Sequence, residues 1–255
     1  MKSALIIPDC HIPFESTNFD LMLSIARTLP LHEIVILGDF LDLYGLSFYD
    51  QHPEMGDMAE LYSREIECGN LRLDELDELA VNARSDGAPR VKKIFIEGNH
   101  EYRLTKFLNK NARALANRIK IPDELKLSQR GGWKWIPFTK VQSHNVLGCG
   151  LYARHCPPAG GSIENSAKQA GTSCIYGHTH TFGIGTFSEK LTGKVRLAIN
   201  AGWLGNEDEK VFDYVSRRPN WTQGFCFVHA VGSKFWVEPV KFFEKKAVFR
   251  GEVFK

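Results

Sequence analysis

The chain has 255 residues, 43% of them hydrophobic and 24% charged, with a formal net charge of +2. That balance supports a sizeable core without staples and excludes recruitment to nucleic acid or acidic partners by bulk charge alone. The six cysteines are scattered without CxxC pairs, which excludes a zinc-finger pattern and a disulfide framework and reads as a reducing, cytoplasmic setting. The N-terminus reaches Asp9 too early for a secretion signal and no apolar run approaches spanning length, so no membrane association is expected.

Residues 3–8 read as a buried strand, followed by a turn that carries Asp9 and His11 between Pro8 and Pro13. Ser16 is placed to cap a helix with Phe19, Leu21, Met22, Ile25 and Ala26 on its apolar face, ended by Pro30. Glu33–Leu37 is the second strand, so the opening predicts a right-handed βαβ unit with parallel strands. Gly38-Asp39-Phe40-Leu41-Asp42 follows, then an aromatic stretch with Tyr44, Phe48 and Tyr49 that reads as a loop beside a site. From Asp57 to about Ala83 the pattern is helical, with Leu61, Ile66, Leu71, Leu76 and Leu79 as buried positions and Gly69-Asn70 as a weak middle where it can split. Residues 43–86 thus form a helical insert, closed by Asp86-Gly87-Ala88-Pro89. Val91–Ile96 is the third strand, leading into Gly98-Asn99-His100-Glu101 and a helix to Asn117. The stretch 118–143 reads as loop with short strands, and 145–154 as one strand interrupted by glycines and ending at His155. Ser162 caps a helix to Ala170, and Cys174–Tyr176 delivers Gly177-His178-Thr179-His180. A strand near Val195–Ile199 and a hairpin, Gly224–Val231 with Lys234–Val240 around Gly232-Ser233, complete the chain. The front half alternates strand and helix and the back half is mostly strand. One domain spanning 1–255, built on two sheets, is the simplest architecture.

Four of these strands end in Asp, Asn or His, and in open α/β sheets the ligand crevice lies outside the carboxyl ends of strands. The candidate ligands are Asp9, His11, Asp39, Asn99, His155, His178 and His180. Imidazole, carboxylate and amide oxygen together suit a borderline divalent ion: manganese first, with iron or zinc as alternatives, and calcium poorly. Seven donors exceed the needs of one ion, so two are expected, and such a pair can clamp a phosphoryl group and activate water. Taken singly, Asp9 with His11 reads equally well as a polar turn, and Gly38-Asp39 as common turn chemistry. Taken together, in order and each at a strand end, they point to one centre.

Asp9-Cys10-His11, Gly38-Asp39-Phe40-Leu41-Asp42, Gly98-Asn99-His100-Glu101, His155 and Gly177-His178-Thr179-His180 resemble the five signature motifs of the calcineurin-like metallophosphoesterase superfamily. The resemblance implies a two-sheet β-sandwich flanked by helices, a four-layer αββα fold with a dinuclear site at the sheet edge. By motif, Asp9, His11 and His180 would hold one ion and Asn99, His155 and His178 the other, with Asp39 bridging. His100 would be the non-ligand histidine that protonates the leaving oxygen, oriented by Asp42, while a hydroxide bridging the ions attacks phosphorus. The fourth motif departs from the usual His-Gly, reading His155-Cys156, with His144 as its rival. The pattern sits nearer the phosphodiesterase and nuclease-like branch, so the expected substrate is a phosphate ester, with nucleic acid among the options. A phosphomonoesterase and a non-catalytic metal-binding scaffold are the alternatives. Arg103 and Arg154 are placed to bind phosphate or to remain solvated, Tyr44 to line a cleft or pack its loop, and Trp203 to form a cleft wall. Lys190, Lys194, Arg217, Arg218 and Lys245-Lys246 are dispersed and outline no nucleic-acid footprint. No protein partner or oligomeric state can be read from the residues.

Overall fold

The computed structural model describes residues 1–47, 57–82, 90–213 and 220–255. Phe48, Tyr49, the Asp86–Pro89 turn, Arg217, Arg218 and part of the 43–86 insert lie outside the described residues.

Strands β1 (Lys2–Ile7), β2 (Glu33–Ile36) and β3 (Lys92–Ile96) are buried almost throughout instead of alternating, as strands covered on both faces must be. They pair in parallel. β4 (Trp133–Ile136) extends the sheet on one side, and β10 (Gly224–Val231) with β11 (Lys234–Lys241) on the other, in the order β11-β10-β1-β2-β3-β4. A second sheet holds β5 (His144–Val146), β6 (Leu151–Arg154), β7 (Ser173–Tyr176), β8 (Phe182–Ser188) and β9 (Val195–Ala201), in the order β5-β6-β7-β9-β8.

The sheets meet through one buried core in which Ile6, Val35 and Ile94 face Leu151, Ile175 and Ile199. The other face of the first sheet carries Ile7, Ile36, Phe95 and Phe227, and packs in a common core with α1 (Asn18–Ala26), α2 (Met58–Asn82) and α3 (Glu101–Asn111). α5 (Ile163–Gln169) covers the outer face of the second sheet through Ala167, against Cys174, Tyr176 and Ala198. The layers therefore run helix, sheet, sheet, helix, the expected fold class. A short helix, α4 (Ile121–Glu124), and a terminal hairpin, β12 (Ala247–Phe249) with β13 (Glu252–Phe254), complete the described structure.

Several local expectations are corrected. α2 runs unbroken through Gly69, because a Cβ there would lie 2.5 Å from Leu41 Cδ2; this glycine allows close helix packing and does not mark a break. The buried stripe of α2 passes through Leu61, Glu65, Gly69, Leu73 and Leu76, which leaves Leu71 59% exposed. α3 stops at Asn111, not Asn117, because the residues that follow, Arg113 to Leu115, have no buried face. Residues 144–154 form a hairpin of β5 and β6, turned by Leu147 and Gly148 at positive φ, in place of one strand. β8 went unforeseen: Gly183 and Gly185 interrupt its strand-like composition. Side chains there would strike Ile163 of α5, at 2.6 Å from Gly183 and 2.9 Å from Gly185.

Candidate metal centre

The carboxyl ends of β1, β2 and β3 in one sheet, and of β6 and β7 in the other, open onto the same edge. The turn after β1 is hydrogen-bonded to the turn after β2: Cys10 N and His11 N both donate to Asp39 O, at 2.9 and 3.0 Å, and Ile12 N donates to Phe40 O at 2.8 Å. The turn after β6 meets the turn after β7 through Gly177 N to His155 O, 3.1 Å. His11, Asp39, His178 and His180 all adopt positive φ, between 46° and 69°. Non-glycine residues are strained there, and such strain persists only where surrounding structure enforces it, as it does at functional sites.

All seven expected donors are brought together. His11 Nε2 and His180 Nε2 face each other at 3.0 Å. Asp9 Oδ2 stands 3.9 Å from His180 Nε2 and accepts the His178 backbone N–H at 2.6 Å. Across the cluster, His155 Nε2 lies 2.8 Å from Asn99 Oδ1 and 3.3 Å from Asp39 Oδ2, and the His155 and His178 rings are 5.1 Å apart. Asp39 belongs both to a grouping with His11 and His100 and to one with Asp9 and His155, the position a bridging carboxylate requires. His144 lies elsewhere, paired with the buried Glu33 at the start of β2. Sequence reasoning missed Cys156, whose thiol is within ligand range of His155 and His178. Burial pushes that thiol up to about 11, so it is a neutral and poor donor at ordinary pH.

The residues present fit metal ions. Asp9 Oδ1 is fully buried without a hydrogen-bond partner, a cost a coordinated cation removes. Burial, then the His100 charge, lowers the pKa of His11; burial, then His155, lowers His178; burial, then His11, holds His180 far down. These imidazoles are neutral and keep a lone pair. Burial drives Asp9 well above the carboxylate range. For Asp39 burial acts in the same direction, but the His100 and His155 charges overcome it and hold the group well below. For His155, burial opposes the charge, and Asp39 overrides it, lifting the group to about 9. Its Nδ1 is fixed by the Leu37 carbonyl at 3.0 Å, leaving Nε2 to face the other donors.

Asp42 serves two histidines. Its carboxylate binds His11 Nδ1 at 2.8 Å and stands 3.4 Å from His100 Nδ1, whose proton goes to the Asp42 backbone carbonyl at 2.7 Å. The Asp42 carboxylate therefore fixes the tautomer of a candidate ligand, and its main chain orients His100. Arg103 reaches this point, with Nη1 2.9 Å from Asp42 O and Nη2 3.0 Å from His100 Nε2. Arg154 does not: along β6 it alternates with the core residue Ala153, so it faces outward beside Tyr152, Lys140 and Cys174. Nor is Trp203 a cleft wall. It is 1% exposed and stacks behind His180, centroids 4.9 Å apart, in an aromatic cluster that also buries Tyr44. Both rings support the centre from behind.

Two buried glutamates hold the 38–44 segment in place. Glu101 accepts Asp39 N and Gly98 N on Oε2, at 3.0 and 2.8 Å, and Leu41 N on Oε1 at 2.9 Å. Glu65 reaches in from α2 to accept Tyr44 N at 2.9 Å, next to Leu43, which sits at φ 53°. Gln142 does similar work for His155, accepting its N–H at 3.3 Å. Burial, then the Asp42 charge, raises Glu65 to about 9, against an ordinary value of 4.5. A carboxyl with a raised folded pKa takes up a proton on folding, so its contribution is full below about pH 4.5 and drains as pH climbs to about 9. The Glu65→Gln variant, which cannot ionise, should therefore melt close to the wild type at pH 5 and progressively above it at pH 7 and 9; thermal melts at the three pH values check this.

The fold and the donor set define a four-layer α/β scaffold with a candidate metal centre at its sheet edge. Among solved structures, the chain is similar to vacuolar protein sorting 29 from Cryptosporidium parvum, with 14% identity and a TM-score of 0.47 over 99% of this chain and 95% of that one. It is similar to the same extent to Vps29 from Entamoeba histolytica complexed with Zn2+, with 14% identity and a TM-score of 0.47 over 98% and 95%. Vps29 from Chaetomium thermophilum gives 10% identity and 0.43 over 96% and 93%. All three are matched at low identity and at TM-scores below 0.5. No protein-family model and no curated protein matches the chain. Among the described residues, no helix is long and apolar enough to cross a membrane.

Proposed function

We propose that this chain is a metal-dependent phosphoesterase of the calcineurin-like type, acting on a phosphodiester. The observation that carries the reading is the convergence of seven donor side chains from two sheets beside His100 and Arg103, whose side chains both bind the Asp42 main-chain carbonyl. Asp9, His11 and His180 would hold one divalent ion and Asn99, His155 and His178 the other, with Asp39 between them; manganese, iron and zinc suit the donors. Bound there, two such ions supply charge neutralisation at phosphorus and a nucleophilic water at neutral pH.

The protein's own groups supply the rest. Burial opposes protonation of His100, but Asp39 and Asp42 raise its pKa, so it can carry a proton at neutral pH. With Nδ1 held by the Asp42 carbonyl, Nε2 is left, 3.8 Å from Asp39 Oδ2, as the atom that gives its proton to the leaving oxygen. Arg103 Nη2 already stands at that nitrogen and can turn to a non-bridging phosphate oxygen as substrate enters. One arginine matches the single charge of a phosphodiester, which supports a diester over a monoester dianion.

The test is hydrolysis of bis-p-nitrophenyl phosphate and p-nitrophenyl phosphate with Mn2+, against an EDTA control. Preferential diester turnover is the expected result. Preferential monoester turnover would replace the diester reading with a phosphomonoesterase. Silence on both esters, with metal bound, would leave a non-catalytic metal-binding scaffold.

A further inference from the structure

We propose that the exposed face of α3 is a track for single-stranded nucleic acid that leads its backbone into the metal centre. The proposal names the substrate class of the phosphoesterase reading and rests on it for the reaction, though not for binding. Between Tyr102 and Pro122 the chain carries six cations, Arg103, Lys106, Lys110, Arg113, Arg118 and Lys120, and no carboxylate, in a chain whose net charge is only +2. An ordinary solvated helix face mixes signs. α2 does so here, with Arg72 bonded to Glu15, Asp20 and Glu75.

The cations are also ordered in space. At 3.6 residues per turn, Arg103, Lys106 and Lys110 fall within about 60° of one another on α3, opposite the buried Leu104 and Leu108. That gives roughly one cation per helical turn, starting at the arginine that touches His100. Tyr102 borders the same face. Its ring stacks on Phe138 with centroids 5.3 Å apart and an interplanar angle of 30°, and Lys106 Nζ lies 5.3 Å over it. Phe138 in turn lies 6.2 Å from the His155 ring. Both aromatic rings are partly exposed. A half-exposed aromatic step beside the ligands, continued by a cationic stripe, is the combination that binds single strands: bases stack on rings while phosphates follow the charges. A duplex keeps its bases stacked internally and cannot use the aromatic step.

Binding is measured by fluorescence anisotropy on the Mn2+-loaded protein, using a fluorescein-labelled phosphorothioate oligothymidylate that resists hydrolysis. The double variant Lys106→Glu with Lys110→Glu should weaken binding at least tenfold. It should also flatten the log–log salt dependence by about 1.4, since each phosphate contact to a single strand contributes about 0.7. Tyr102→Ala should weaken binding several-fold at low and high salt alike. Circular dichroism and melting curves confirm that each variant folds. The proposal is overturned if the wild type does not bind, if the double variant binds as well as the wild type, or if duplex DNA competes as well as the single strand. Binding without hydrolysis of any ester would overturn the phosphoesterase reading alone. Turnover of bis-p-nitrophenyl phosphate without strand binding would overturn the track alone.

Discussion

Replacing Gly98 by alanine should dismantle the metal centre. The added Cβ would stand 2.2 Å from both Asp39 N and Asp39 Oδ1, and 2.8 Å from Glu101 Oε2. None of these atoms is the free end of a flexible side chain. Asp39 is gripped by Glu101, and its Oδ1 accepts His100 N at 2.9 Å, so relief requires the turns after β2 and β3 to part. Overpacking of this kind costs roughly 3 kcal/mol or more, which in a chain of this size lowers Tm by roughly 6–12 °C. Metal binding should fall with it, because Asp39 is the carboxylate placed between the two ligand sets. Gly148→Ala is the control. Gly148 has positive φ, 71°, which Gly98 does not, and nothing lies within 4 Å of its Cβ position. It should cost only the left-handed backbone penalty, about 1–2 kcal/mol, and leave metal binding intact. Thermal melts with metal analysis on both variants separate a site-specific clash from generic glycine loss.

His100→Ala should instead leave the fold and the metals in place and remove the leaving-group proton. The ring binds the Asp42 carbonyl and Arg103; it stands near His11 and Asp39 but is not one of the seven donors assigned to the ions, so those donors stay in place. General-acid catalysis contributes about 10²–10⁴-fold. A loss of that order is expected for alkyl esters, and a much smaller one for p-nitrophenyl esters, whose leaving oxygen needs little protonation. The split between poor and good leaving groups is the readout. Equal losses on both, or a loss of bound metal, would show that His100 positions the ions and does not donate a proton.

The convergence of candidate donors was legible because its chemistry is carried by residue type at strand ends: Asp9, Asp39, Asn99 and the His178/His180 pair each follow an apolar run that reads as a buried strand. The four-layer order was legible for the same reason. What surrounds the ligands was not. Glu101 looked like a helix N-terminal acid, and Glu65 one of many charges on α2; only the fold shows that both reach inward to backbone N–H groups. Asp42 was assigned to His100 by resemblance to the family motifs; the fold adds that the same carboxylate also binds His11 Nδ1, while standing 3.4 Å from His100 Nδ1. Trp203 was expected to face a cleft and Tyr44 either to line one or to pack its loop, but a sequence does not say which side of a turn is already covered by Phe212 and Trp221. The cationic face of α3 was visible as a string of lysines and arginines, yet net charge and a search of the back half both pass over it. Its meaning depends on Tyr102 meeting Phe138 across 36 residues.

The most direct test of the central claim is a Mn2+ titration of metal-free protein, following bound metal per chain and bis-p-nitrophenyl phosphate turnover on the same samples. Two ions per chain are expected, with turnover appearing as the second binds, and with Asp39→Asn abolishing both. Two ions bound with no turnover above the EDTA control, or full turnover at one ion per chain, would contradict a dinuclear hydrolytic centre.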